Sequence, residues 1–471
     1  MSDTTRLRSP WTIAVLVWSV IALTWVFLVP VGNNLLLYPL ILSFALLAGI
    51  AIVKNKLRPD RSMLLPAVLW VAFLVVGVVT GIARGAESWE RTLVFFLVWP
   101  AIFAVMVVGF DKRLIRVIFV VGAWVTVFIG LLFLVDALAI TGHLPFKTLP
   151  YWLTTPLLLR GVTDAQGMVS LSSSSLPPLI WWGAMWVASM FCDPKDRYLP
   201  PVWLRTAAAS LALAGAVVSW RRAIVLILVV SPVMAILALV ALRFRNARSS
   251  NPRFSGRAFI LLAVAALIAA GLSFLAQPHF ASMFGSAVGS SSKIVEGQKA
   301  HLPTPDLPSV DDSKLSVAAD DALADEIRKN ESQNLLAPSS PADWIVGRGF
   351  GATIDRGAVV RDMKPWQTEL QYHAIFYWTG ILGMLLLVAT FVTAFLSVRK
   401  AFRLDAGLRA PLYVSTVGAL AALAANATNP YLQAPGHMWP VFLPLMIASA
   451  VFASHSTRQE PAEPELAEQL T

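Results

Sequence analysis

An all-α protein threaded many times through a membrane is the fold class this sequence predicts, on three observations. Apolar blocks of roughly 17 to 25 residues, the length of a bilayer-crossing helix, recur from end to end. Only 14% of the 471 residues are charged while 57% are hydrophobic, whereas a soluble chain devotes about a quarter of its residues to charge. The basic residues collect in alternate gaps between the blocks, the asymmetry expected of a polytopic chain.

The blocks define twelve spans, at 11–30, 35–53, 63–83, 92–110, 114–135, 176–192, 204–220, 222–242, 258–276, 371–398, 410–425 and 438–454. The first has a basic flank and no small-residue cleavage site, so it reads as a retained span. With the N-terminus inside, the gaps "KNKLRPDR", "DKRLIR", "DPKDRYLPPVWLR", "RFRNARSSNPRFSGR" and "RKAFRLDAGLR" are cytoplasmic. Together with Arg6 and Arg8 they hold 21 of the 37 Lys and Arg. Both termini are then cytoplasmic. The net charge of +10 follows from topology and needs no nucleic-acid partner. Four regions result: nine spans over 1–276, a large outside loop of short helices over 277–370, three spans over 371–454, and an acidic, disordered cytoplasmic tail over 455–471. The single cysteine, Cys192, excludes an intramolecular disulfide and any CxxC metal motif.

Against this charge rule, two residues stand out. "SWRRAIVL" places Arg221 and Arg222 at an outside turn almost without a loop. One reading is snorkelling cations that anchor a helical hairpin. The other is an anion site, because positive charge is disfavoured on this side and ionisable groups at a membrane edge are functional candidates.

In the large loop, "DDSKLSVAADDALADEIRKNESQ" carries acids early and Arg328–Lys329 late, which suits a helix dipole. The pairs Asp311–Asp312 and Asp320–Asp321 read as solvated acids, not metal ligands. The first outer loop, "VGNNLLLYP", has no acid and so does not resemble that of metal-dependent membrane glycosyltransferases with lipid donors, which implies that no metal or other cofactor is expected. "GRGFG" at Gly347–Gly351 lacks the βαβ context of a nucleotide loop and predicts positive-φ turns. "TELQYHAIFYWTGILG" sets Glu369 and His373 four residues apart, on one helix face at the start of a span. Either group could take a proton from a hydroxyl, with the other orienting it; an ordinary interfacial aromatic belt is the alternative. "NATNPYLQAPGH" reads as a polar cap over the vestibule.

These patches resemble the O-antigen ligase and O-antigen polymerase superfamily of bacterial inner-membrane glycosyltransferases. "SWRRA" resembles that family's serine–arginine–small-residue turn, with Arg222 in the arginine's place and Arg221 in the serine's. Arg328 stands nineteen residues before Gly347, like the family's loop arginine before a glycine-rich turn. The family opens the next span with a polar residue, in ligases a histidine, eleven before a glycine. Here that position is Glu369, counted from Gly380, and the histidine comes one turn later at His373. The resemblance implies transfer of glycan from an undecaprenyl-diphosphate carrier at the periplasmic face. Arg221, Arg222 and Arg328 would then bind diphosphate, and His373 or Glu369 would be catalytic. A polymerase is the expected activity, with a chain-length regulator or flippase as possible partners. A ligase acting on lipid A–core is the alternative, disfavoured by a loop with nine Lys and Arg against thirteen Asp and Glu. A secondary transporter would instead carry charges near the midplane.

Overall fold

The computed structural model describes residues 10–29, 61–94, 96, 112–146, 149–163, 169–219, 221–243, 256–276, 328–329, 331–336, 340–353, 370–427, 431 and 437–459, together with 39, 40, 42, 43, 46 and 50. The elements are α1 (Pro10–Leu28), α2 (Leu64–Ala83), α3 (Arg113–Ile140), α4 (Tyr151–Leu157), β1 (Arg160–Thr163), β2 (Val169–Ser172), α5 (Leu176–Ser189), α6 (Val202–Val218), α7 (Arg222–Arg243), α8 (Gly256–Ala276), α9 (Pro341–Val346), α10 (Gln371–Leu404), α11 (Arg409–Ala425) and α12 (Trp439–Gln459).

Six of these helices, among the described residues, carry apolar stretches long enough to cross a membrane, and three more are shorter and apolar. The 20 residues of α2 extend about 30 Å at 1.5 Å each, the thickness of a bilayer's hydrocarbon core. Its outer stripe of Leu64, Val68, Val71, Val75, Val79 and Ile82 is exposed, while Trp70, Phe73, Leu74, Gly77 and Gly81 face inward. Such a stripe suits lipid and would be a large sticky patch in water. The chain is therefore an all-α membrane protein.

The structure adds detail to two sequence expectations. The span expected at 176–192 is α5, only 14 residues and about 21 Å long. It is buried on all sides, with Trp181, Trp182 and Trp186 inaccessible, so its apolar character serves the core and not lipid. The segment after α3 contains an antiparallel hairpin, β1 against β2, pairing Arg160 with Ser172 and Thr163 with Val169. Of the spans expected at 35–53 and 92–110, most lies outside the described residues, as do 277–327 of the large loop and the tail from 460.

The connections between the described helices sort to two ends. At one end, Lys112 before α3 bonds Asp405 after α10 at 2.7 Å. Burial opposes ionisation of Asp405, but Lys112, the Gly407 main chain and Arg197 outweigh it and hold the carboxyl below its ordinary range. The same end carries Arg205, 1% exposed, whose guanidinium donates to the carbonyls of Ser189 (3.0 Å), Asp193 (3.3 Å) and Pro194 (3.0 Å). This clamp ties the last carbonyl of α5, that of Ser189, to two carbonyls of the turn that follows. The opposite end holds the Arg221 turn, the hairpin, the described part of the large loop and the start of α10.

Candidate functional site

At that second end, α6 stops at Ser219, whose buried hydroxyl donates to the Ala216 carbonyl at 2.6 Å. Arg221 follows, and its carbonyl accepts from the amides of Ile224 (2.9 Å) and Val225 (3.2 Å), starting α7. The hairpin thus has no room for a loop, and Arg221 is exposed at its tip. Arg222 is the first residue of α7; its side chain lies outside the described residues.

The connection between α11 and α12 brings Tyr431 to this tip. Burial pushes the Tyr431 phenol up to about 12, and the charges of Arg221 and Arg328 pull it partly back. One buried phenol therefore feels both arginines, which belong to distant parts of the chain. Arg328 itself is half-buried in a short helical stretch of the large loop. Both guanidinium groups thus lie within electrostatic range of one phenol, and arginine's planar fork of donors suits phosphate oxygens.

Beneath Tyr431 lies His437, whose ring centroid is 6.3 Å from that of Tyr431 and 5.6 Å from that of Trp181. Burial pushes the His437 imidazole down to about 4, opposed by the adjoining Ser174 and Tyr431 main chains. Those main chains lie close, yet neither ring nitrogen has a well-aligned partner among the described residues. The indole N–H groups of Trp181 and Trp182 are likewise buried and unpartnered among them. Trp439 closes the cluster, with centroids 6.2 Å from Trp181 and 5.0 Å from Trp182. Buried polar groups ordinarily find partners, so this concentration of open donors stands out.

The start of α10 is tied to the same connection. Tyr372 donates to the Leu423 carbonyl at 2.6 Å and bonds the Asn426 side chain. Gln371 is fully buried, with neither side-chain polar atom partnered among the described residues. His373, next in the turn, is half-buried. Glu369 lies outside the described residues, as do Asp311–Asp312 and Asp320–Asp321. Of the five residues singled out from the sequence, Arg221 and Arg328 are thus brought together through Tyr431. His373 stands at the same end on the neighbouring helix. Among the described residues, no three His, Cys, Asp or Glu side chains gather as a metal site.

The glycine turn adopts positive φ at Gly347 (73°), Gly349 (87°) and Gly351 (78°), as the sequence predicts. Its function is to splice helices. The amides of Arg348 and Gly349 donate to the carbonyls of Tyr377 and Trp378, and that of Phe350 to Gly77, each at 2.8 Å. The carbonyls of Tyr377 and Trp378 are open because α10 breaks at Gly380, where φ is 61°. Phe350, fully buried, stacks on Phe96 with centroids 5.6 Å apart and covers Gly77 of α2.

Sequence reasoning noted His437 only as part of a polar cap and missed Tyr431 as an individual residue. Only their place in an uncharged polar stretch marked them, and no spacing rule links them to Arg221 or Arg328. Compared with known proteins, the chain matches no family model and no curated sequence.

Proposed function

We propose that this protein is a polysaccharide polymerase of the O-antigen type, working at the periplasmic face of a bacterial inner membrane. The observation that carries this reading is the convergence of Arg221 and Arg328 on Tyr431. That locus lies at the bundle end opposite Lys112, Arg205 and Lys400, whose basic character marks the cytoplasmic side. Twelve spans with both termini cytoplasmic complete the topology.

The donor is a glycan on undecaprenyl diphosphate. Arg221, Arg222 and Arg328 hold the diphosphate and stabilise the charge that builds on it as the sugar–phosphate bond breaks. His373 or Glu369 takes the proton of an acceptor hydroxyl, whose oxygen attacks the anomeric carbon from the opposite side. The new glycosidic bond replaces the bond to phosphate, undecaprenyl diphosphate leaves, and the configuration inverts. The chain's own cations carry the charge on the phosphates, and the reaction calls on no metal or other cofactor.

The test is transfer by purified protein given the lipid-linked glycan. Arg221→Gln and Arg328→Gln are expected to lower turnover by roughly a hundredfold or more, since lost charge stabilisation typically costs that much. Arg328→Lys should recover only part of it. EDTA should leave the rate unchanged. Product ending on lipid A–core instead of a longer glycan would assign the ligase reaction. Undiminished transfer by both glutamine variants would sink the site.

A further inference from the structure

We infer that a second cavity, beside the glycine turn, is a binding subsite for an uncharged, hydroxyl-rich saccharide. The inference rests on the glycosyltransferase reading for the source of that saccharide, but its chemistry comes from the cavity itself.

The cavity has a volume of about 590 Å³, within the range of small-molecule sites. Arg84 and Glu87 come from the end of α2, Asp343 from α9, Arg348 and Thr353 from the glycine turn, and Tyr377 from α10. Asp343 is 5% exposed, and its two carboxylate oxygens are shared between Arg84 and Arg348, the latter at 3.3 Å. Arg348 Nη1 donates to the Tyr377 hydroxyl at 3.1 Å, and that hydroxyl donates to the Thr353 carbonyl at 2.9 Å. Arg84, Asp343, Arg348 and Tyr377 are thereby oriented by one another, as a pre-organised site requires.

Charge then selects the ligand. Two guanidinium groups meet two carboxylates, those of Asp343 and Glu87, so the lining has no net charge and offers an anion little. The contrast with the Arg221–Arg328 locus is direct. Arg84 and Arg348 keep 35% and 29% of their side chains exposed, and a guanidinium has five N–H donors of which these bonds use a minority. Exposed Glu87 supplies an acceptor at the rim. Donors alternating with acceptors on a polar wall match vicinal hydroxyls, each of which both donates and accepts.

Position gives the subsite a role. Tyr377 is one helical turn beyond His373 on α10, so the two share a face. A saccharide held here would run toward His373, as an acceptor chain must if His373 or Glu369 takes its hydroxyl proton.

The experiment measures binding, not transfer. Oligosaccharide freed by mild acid from the native cell's lipid-linked glycan is titrated into the full-length protein in nanodiscs. Saturable binding is expected, insensitive to salt between 50 and 500 mM, as suits an uncharged ligand. Glu87→Gln and Arg84→Gln should each weaken it about tenfold, with unfolding temperature near wild type confirming that the variants are folded. Absence of binding, strong salt dependence, or full affinity in both variants would overturn the subsite even if transfer is found. Glu87-dependent and Arg84-dependent binding by a protein that transfers nothing would leave the subsite standing and remove the transferase reading.

Discussion

At the scale of single residues, burial holds two groups of the site, Tyr431 and His437, away from their ordinary state. Arg221 sets an exposed cation at the tip of the α6–α7 turn, and with Arg328 it partly offsets the burial of Tyr431. His437 shows the cost plainly. Burial lowers its pKa from 6.5 to about 4, so the folded state resists a proton that the unfolded chain accepts. Its contribution is intact above pH 6.5 and is lost as pH falls toward 4, by up to about 3 kcal/mol. Unfolding of the solubilised protein between pH 7 and pH 4 should therefore show a steeper loss of stability for wild type than for His437→Asn. Equal slopes would mean that water or a ligand already compensates the ring. Neither Tyr431 nor His437 could be singled out beforehand, because burial depends on which helices surround the α11–α12 connection.

At the scale of elements, the α10 kink and the glycine turn are one structure made of two separated segments. A Cβ on Gly349 would come within 2.0 Å of the Gly81 amide nitrogen, at a φ of 87°. Backbone cannot yield there as a flexible side chain could, so Gly349→Ala combines a steric clash with left-handed strain. We expect it to cost more than about 3 kcal/mol, seen as a collapse of the unfolding temperature or failure to fold. Gly271→Ala in α8 meets nothing within 4 Å and should be neutral or stabilise by up to about 1 kcal/mol. Comparable unfolding temperatures for the two variants would contradict the splice. That the turn needs glycine was legible in "GRGFG". That Phe350 plugs α2 at Gly77, and that Asp343 bridges Arg84 and Arg348, was not. Gly77 and Arg84 stand hundreds of residues from Phe350 and Asp343, and no local pattern pairs them.

At the scale of the whole molecule, function depends on the two ends facing different compartments. In a Cys192→Ser background, a cysteine at Gly142 should react with an impermeant maleimide added to intact spheroplasts. One at Lys195 or Arg257 should react only after the membrane is opened. Gly142 follows α3 at the site end, while Lys195 and Arg257 stand with Arg205 at the other. Reversed labelling would put the arginine locus on the cytoplasmic side and exclude a periplasmic donor.

The sequence by itself determined the membrane class and the sorting of charge between two ends, because apolar length and loop charge are properties of contiguous residues. It also marked Arg221, Arg328, Glu369 and His373 as exceptions worth explaining, and it placed the positive-φ turn. The tertiary structure alone decided that Arg221 and Arg328 share Tyr431, that α5 is a core helix with no lipid face, and that an ion-paired polar cavity adjoins the first turns of α10. Each of these depends on side chains meeting across separate helices. Such encounters are set by how the whole bundle packs, and a local pattern of residues carries no record of them.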